Sequence, residues 1–246
     1  MGKHGKHRAL VRTATALTLA LAAPAGAAEC RLALLLGLDI SSSVDAAEDA
    51  LQRGGMAAAL TSEPVQNAFF ASPTPVALGV FEWSGRYNQE IILDWTMIED
   101  RADLMAAADT IAQSDRSYNE FPTAMGEALI FAKAMLRRGP DCWQRTIDIA
   151  GDGENNEGPG PQAIYASHPL FKEITVNGLV VVNAADFQTP HRLTQFYGQE
   201  VLHGQGAFMI EANGFDDYER AMREKLEREL SVAVMGAASI RKGSQG

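Results

Sequence analysis

The sequence predicts an α/β fold: a doubly wound, mostly parallel six-stranded sheet with one antiparallel edge strand and helices on both faces. Three observations predict it. An uncharged run, Leu32–Leu38, is typical of a strand buried on both faces of a parallel sheet. Strand-like and helix-like segments then alternate along the chain. A single short connector, Ser84–Asn88, indicates a hairpin and therefore one antiparallel strand.

The N-terminal segment has the pattern of a secretory signal peptide, which we place at residues 1–27. A basic region is followed by a short apolar stretch, Ala14–Ala23, and by small residues at 25–27. No later stretch approaches the roughly 18 apolar residues that a membrane span needs. We expect a protein without a membrane span, periplasmic or secreted, whose residues 28–246 form one domain.

The charge of the chain argues against polyanionic partners. The formal net charge is −10, and removal of the leader would lower it to −14, because that segment carries four of the 21 Lys and Arg and no Asp or Glu. Nucleic acid and anionic membrane surfaces are therefore excluded as expected partners.

The predicted strands are residues 32–38, 75–83, 90–95, 143–150, 174–182 and 207–210. The third follows the hairpin and should form one edge of the sheet. Asp45 and Glu48 have the spacing of a capping box, which predicts a helix to about Leu60. We interpret Gly54 and Gly55 within it as close packing on the sheet. Further helices are predicted over residues 98–112, 122–138, 161–171 and 193–201, and from Phe215 onward.

The two cysteines stand in almost the same register relative to an acidic turn. Cys30 lies nine residues before Asp39, and Cys142 lies ten residues before Asp152. If the two strands are parallel neighbours, the cysteines meet at one sheet edge and the aspartates at the other. An exported protein keeps such a pair as a disulfide. Two unpaired buried thiols are the alternative that the spacing leaves open.

Oxygen-bearing side chains gather at the carboxyl edge of the predicted sheet. Asp39, Ser41 and Ser43 follow the first strand in a D-x-S-x-S spacing, Thr123 opens a helix, and Asp152 follows the fourth strand. Such folds bind ligands at this edge, and oxygen-only ligands suit a hard divalent cation. Taken singly, each residue is explained as well by a helix cap or a turn.

The ordered set resembles the metal-ion-dependent adhesion site (MIDAS) of von Willebrand factor type A domains, which are Rossmann-like. It comprises Asp39-x-Ser41-x-Ser43, then Thr123 in PTAMGEAL, then Asp152 in GDG. The resemblance implies that Ser41, Ser43 and Thr123 contact a metal through hydroxyls, with Asp39 and Asp152 binding directly or through water. It implies Mg²⁺, with Mn²⁺ or Ca²⁺ as alternatives, and a protein partner that presents an acidic side chain or terminal carboxylate.

The acidic loop after Asp152 departs from the family pattern. We expect Glu154, Asn155, Asn156 and Glu157 to lie beside the metal and to shape what approaches it. We do not expect this loop to bind a second metal ion as a calcium loop, because Glu157 stands where a calcium loop requires glycine.

Two rival functions come from other classes. The first is a Mg²⁺-dependent hydrolase such as a phosphatase with Asp39 as nucleophile, although its usual second acid is replaced by Ser41. The second is a structural protein whose metal site has decayed. No catalytic residue is assigned. The histidines after the leader, His168, His191 and His203, have no zinc-binding spacing, and Ser84 lacks the preceding glycine of a nucleophile elbow.

Overall fold

The computed structural model describes residues 1–2, 30–182 and 190–243, with the side chains of 190 and 232–243 left aside. Apart from its first two residues, the predicted signal peptide lies outside the described residues. Within the described part of the chain, no helix is long and apolar enough to cross a membrane.

Six strands form one sheet in the order β3-β2-β1-β4-β5-β6. β3 is an edge strand antiparallel to β2, and the other neighbouring pairs are parallel. The predicted fold class is therefore confirmed. The strands are β1 (Cys30–Asp39), β2 (Val76–Trp83), β3 (Gln89–Ile98), β4 (Cys142–Gly151), β5 (Thr175–Val182) and β6 (Met209–Asn213).

Helices cover both faces of the sheet and enclose two hydrophobic layers. α1, α2, α3 and α7 bury one layer, which includes Met56, Leu104 and Met222, and α4, α5 and α6 bury the other, which includes Leu129. β1 is buried along its whole length between them, which explains the uncharged run Leu32–Leu38 in its middle. The helices are α1 (Ala46–Thr61), α2 (Glu63–Phe69), α3 (Arg101–Ala112), α4 (Met125–Arg138), α5 (Pro161–Ser167), α6 (Pro190–Phe196) and α7 (Tyr218–Gly243).

The observed elements differ from the predicted ones at several boundaries. α2 was not predicted, because it follows α1 after one residue, Ser62. β3 continues to Ile98, so α3 begins at Arg101, where Asp100 forms a capping box. The predicted helix over 193–201 is α6 followed by a π-helical turn, Tyr197–Val201.

The interpretation of the glycine pair in α1 was wrong. A Cβ at Gly55 would lie 3.1 Å from the backbone nitrogen of Glu219, so Gly55 packs against the start of α7 and not on the sheet. A Cβ at Gly54 would meet nothing within 4 Å. The close approach is therefore between two helices at one position.

Parallel pairing of β1 with β4 fixes both ends of these strands. Cys30 is the register partner of Cys142, and Leu38 is that of Ala150. The cysteines form a disulfide with a Cα–Cα distance of 4.5 Å. At the other end, Asp39 and Asp152 leave the sheet side by side, as the cysteine spacing predicted.

Loss of the disulfide should destabilise the fold strongly. The bridge joins residues 112 positions apart. Its removal frees a long loop in the unfolded chain, which costs about 5 kcal/mol of stability on the chain-entropy account. Urea unfolding of the Cys30→Ala/Cys142→Ala double variant should show that loss. Reducing agent should lower the midpoint of the wild-type protein and leave the double variant unchanged. Equal midpoints for the wild type and the variant would contradict the prediction.

Candidate metal centre

Asp39 ends β1 with its carboxylate turned into the protein. Its Oδ1 accepts a hydrogen bond of 2.7 Å from the backbone N–H of Ser41. Its backbone carbonyl accepts a bond of 2.8 Å from Nε2 of Gln52 in α1. Asp39 and Ser41 are both fully buried, so they form the floor of the candidate site.

Ser43 and Asp152 form the outer part of the site. The Oγ atoms of Ser41 and Ser43 lie 3.1 Å apart, and the Ser43 hydroxyl donates to Oδ1 of Asp152 over 2.6 Å. Ser43 is exposed and Asp152 is half-buried. The site is therefore closed toward the sheet and open toward solvent.

Thr123 completes the set from the α3–α4 loop. It is 3% exposed. A Cβ at Gly153 would lie 3.4 Å from Oγ1 of Thr123 and 3.8 Å from Oγ of Ser43. The two hydroxyls thus border one space that a side chain at Gly153 would narrow. The structure brings the five sequence-predicted residues, Asp39, Ser41, Ser43, Thr123 and Asp152, to the same edge of the sheet.

The loop 154–157 mainly contacts the protein itself. Asn156 accepts a bond of 2.8 Å from the Thr123 N–H through Oδ1 and donates its own N–H to the Thr123 carbonyl over 2.9 Å. Glu157 accepts from the N–H of Arg86 at 2.8 Å. Among the described residues, the side chain of Asn155 has two longer hydrogen bonds, of 3.4 and 3.5 Å. Glu154 forms an ion pair of 2.7 Å with the exposed Arg192. This loop therefore fixes the position of Thr123.

Arg116 ties the D-x-S-x-S loop to the α3–α4 loop, and sequence reasoning missed it. Its guanidinium donates to the carbonyls of Ile40, Val44 and Tyr118, each at 2.6 Å, and to that of Ser41 at 3.1 Å. The N–H of Ser42 also donates to the carbonyl of Phe121 over 2.9 Å. Nothing in the local sequence around Arg116 indicates its bonds to Ile40, Ser41 and Val44, because these residues lie 72 to 76 positions away along the chain.

A buried ionic network between α1 and β2 contacts the α3–α4 loop. Arg53 in α1 pairs with Asp49 over 2.9 Å and also with Glu82 of β2. Glu82 in turn accepts the N–H of Ser117 at 2.8 Å. Each of these buried charges is ion-paired and hydrogen-bonded, as buried charges must be.

The electrostatics of the floor fit a divalent cation. Burial, together with the nearby charge of Asp152, raises the pKa of the Asp39 carboxyl to about 8. Its Oδ2 is buried without a hydrogen-bond partner among the described residues. A cation would favour the ionised form of both carboxylates. The described residues contain no group of three or more His, Cys, Asp or Glu that could hold a metal. A cation bound here would therefore take further protein ligands from the serine and threonine hydroxyls.

Two of the three histidines that follow the predicted leader are engaged elsewhere. Nδ1 of His168 lies 3.0 Å from the carbonyl of Ile164, and Nε2 of His203 lies 2.9 Å from that of Phe171. The third, His191, is exposed in α6. Neither His168 nor His203 is part of the candidate metal site.

Solved structures of other proteins define the fold class of this chain. One is proximal thread matrix protein 1 from the mussel byssus with a zinc-occupied MIDAS motif: it has 15% identity and a TM-score of 0.55, over 82% of this chain and 46% of that one. Another is a von Willebrand factor type A protein from Catenulispora acidiphila, with 16% identity and a TM-score of 0.52, over 83% and 43%. A third is the open conformation of the pilus adhesin SpaC from Lactobacillus rhamnosus GG, with 14% identity and a TM-score of 0.57, over 82% and 30%.

The chain therefore has the von Willebrand factor type A fold. It spans less than half the length of each of these structures. Within that fold class, the chain belongs to the DUF1194 family, which is described as "Protein of unknown function". The family model matches residues 29–234. No curated protein matches it in sequence.

Asn156 should matter to the fold more than its neighbour Asn155. The Asn156→Ala change removes the 2.8 Å acceptor of the Thr123 N–H, which should lower the free energy of unfolding by about 1 kcal/mol. Asn155→Ala is the matched control, because the contacts of Asn155 are long; it should change stability by less than about 0.5 kcal/mol. Urea unfolding of both variants checks this, and equal losses would contradict it.

Proposed function

We propose that this chain is an exported, cation-dependent protein-interaction module. In this proposal Asp39, Ser41, Ser43, Thr123 and Asp152 hold a divalent cation, Mg²⁺ first, at the carboxyl edge of the sheet. The observation that carries it is the convergence of these oxygens around a buried floor that opens to solvent. The partner is a protein that presents an acidic side chain or a terminal carboxylate.

The ligand chemistry supports a carboxylate as the partner group. A bound divalent cation would act as a Lewis acid with room for an oxygen from outside. The chain contributes two carboxylates and three neutral hydroxyls, so its own ligands leave the cation attractive to a further anion. Mg²⁺ suits this set, because it accepts few protein carboxylates and keeps several waters.

The proposed residues have separate roles in this binding. Asp39 and Ser41 form the rigid floor, since both are buried and joined by a hydrogen bond of 2.7 Å. Ser43 and Asp152 lie on the solvent side, where a partner would approach. Asn156 and Glu157 hold the adjoining loop, and the Glu154–Arg192 ion pair borders the approach.

Export and domain organisation complete the proposal. Residues 1–27 are proposed as the cleaved leader, and residues 28–246 as one domain of the periplasm or the exterior. The Cys30–Cys142 disulfide supports an oxidising compartment, because such bonds rarely persist in the cytosol.

The wild-type protein should bind Mg²⁺, and the binding should depend on Ser41 and Ser43. Isothermal titration should give heat with wild type and none with Asp39→Ala, and Ser41→Ala and Ser43→Ala should each weaken binding by about tenfold or more, as expected when a ligand oxygen is lost. Ser42→Ala is the matched control: Ser42 lies between them, is exposed, and uses its backbone N–H to reach Phe121. Equal heats in all five proteins would refute the metal site.

A separate experiment tests whether the bound cation accepts a carboxylate from outside the protein. Mn²⁺ bound to the wild-type protein should relax water protons strongly, and acetate should reduce that relaxation because its oxygen displaces a bound water. Chloride at the same ionic strength is the control. An equal response to acetate and chloride would argue against a carboxylate partner while leaving cation binding intact.

A further inference from the structure

Tyr197 places a buried hydroxyl beside the floor of the metal site. The side chain is fully buried, and its Oη has no hydrogen-bond partner among the described residues. The same is true of Oδ2 of Asp39. A buried polar atom without a partner costs about 1–3 kcal/mol, and native proteins keep few of them. Two such atoms in one place therefore call for an explanation.

The two oxygens meet at Gly151. A Cβ at this residue would lie 2.7 Å from Oδ2 of Asp39 and 2.9 Å from Oη of Tyr197. Both atoms therefore border the small space that a side chain at Gly151 would fill. Because Gly151 ends β4, the tyrosine hydroxyl and the Asp39 carboxylate both border the end of this strand.

Glycines on two neighbouring strands leave space for the Tyr197 side chain. A Cβ at Gly178 in β5 would lie 2.7 Å from Cδ1 of Tyr197. Glycines in β5 and β4 thus leave space first for the ring and then for its hydroxyl. Tyr197 also begins the π-helical turn Tyr197–Val201, and turns of this kind occur frequently at functional sites.

We propose that Tyr197 is a positioning residue of the metal site: its hydroxyl donates a hydrogen bond to Oδ2 of Asp39 when the site holds a cation. The inference rests on the proposed function. The Ser41 N–H already holds Oδ1 of Asp39, so a donor at Oδ2 fixes the second oxygen and prevents the carboxylate from rotating. It also stabilises the ionised form that a cation requires.

Tyr197→Phe tests the proposal, because it removes only the hydroxyl. Isothermal titration with Mg²⁺ should show affinity about 10- to 100-fold weaker than wild type, the usual effect of losing a group that orients a metal ligand. The melting temperature without cation should stay the same or rise slightly, because the lost hydroxyl has no partner there.

Tyr165→Phe is the matched control. The Tyr165 hydroxyl is also in a buried side chain, but it donates to the carbonyl of Val201 over 2.6 Å. Its loss should lower the melting temperature without cation and leave Mg²⁺ affinity unchanged. A purely structural role for Tyr197 would give the same pattern as this control.

A spectroscopic measurement reports on the hydrogen bond itself. Adding Mg²⁺ should produce a near-ultraviolet tyrosine difference spectrum in wild type and in Tyr165→Phe, and none in Tyr197→Phe. If the wild type binds Mg²⁺ and Tyr197→Phe binds it equally well, the inference is wrong and the proposed metal site stands. If the wild type binds no Mg²⁺, the proposed function and the inference both fail. If Tyr197→Phe did not fold, the absence of a tyrosine signal in cation-loaded wild type would overturn the inference.

Discussion

The parallel register between β1 and β4 is the constraint on which the rest of the structure depends. It pairs Cys30 with Cys142 at the amino edge and brings Asp39 next to the Gly151–Asp152 turn at the other. A shift by one residue would turn every side chain of β1 to the opposite face of the sheet. Both hydrophobic layers contain residues of β1, so such a shift would disrupt both. The same pairing therefore sets the core, the disulfide and the carboxylate pair.

Loops hold the hydroxyls of the site through their backbones. Arg116 binds carbonyls of the D-x-S-x-S loop, Ser42 donates to Phe121, and Asn156 pairs with both backbone groups of Thr123. Three separate loops are thus joined at their backbones before any ligand arrives. Pre-organisation of this kind reduces the ordering that binding would otherwise require. It agrees with a site built to capture a ligand on a rigid scaffold.

The floor of the site is electrostatically unfavourable in the absence of a positive charge. Asp39 is buried near Asp152, and this raises its pKa to about 8. Two other buried acids, Asp148 and Glu229, each form an ion pair of 2.7 Å with the ammonium of Lys225. Asp39 has no such ion pair among the described residues, although the guanidinium of Arg116 lowers its pKa from a distance. Asp148 and Glu229 thus have an internal cation that Asp39 lacks among the described residues, and this difference supports Asp39 as part of the proposed cation site.

The sequence by itself determined the fold class and the candidate site, and tertiary structure decided how the site is held. Three local patterns could be identified from neighbouring residues alone: the uncharged run Leu32–Leu38, the D-x-S-x-S spacing and the Asp45 cap. The disulfide required the β1–β4 register, which the cysteine spacing indicated without excluding two free thiols. Arg116, Asn156 and Tyr197 act on residues distant in sequence, and their partners became visible only when the loops and glycines were in place. Local periodicity specifies elements, whereas contacts between elements depend on packing that no local pattern encodes.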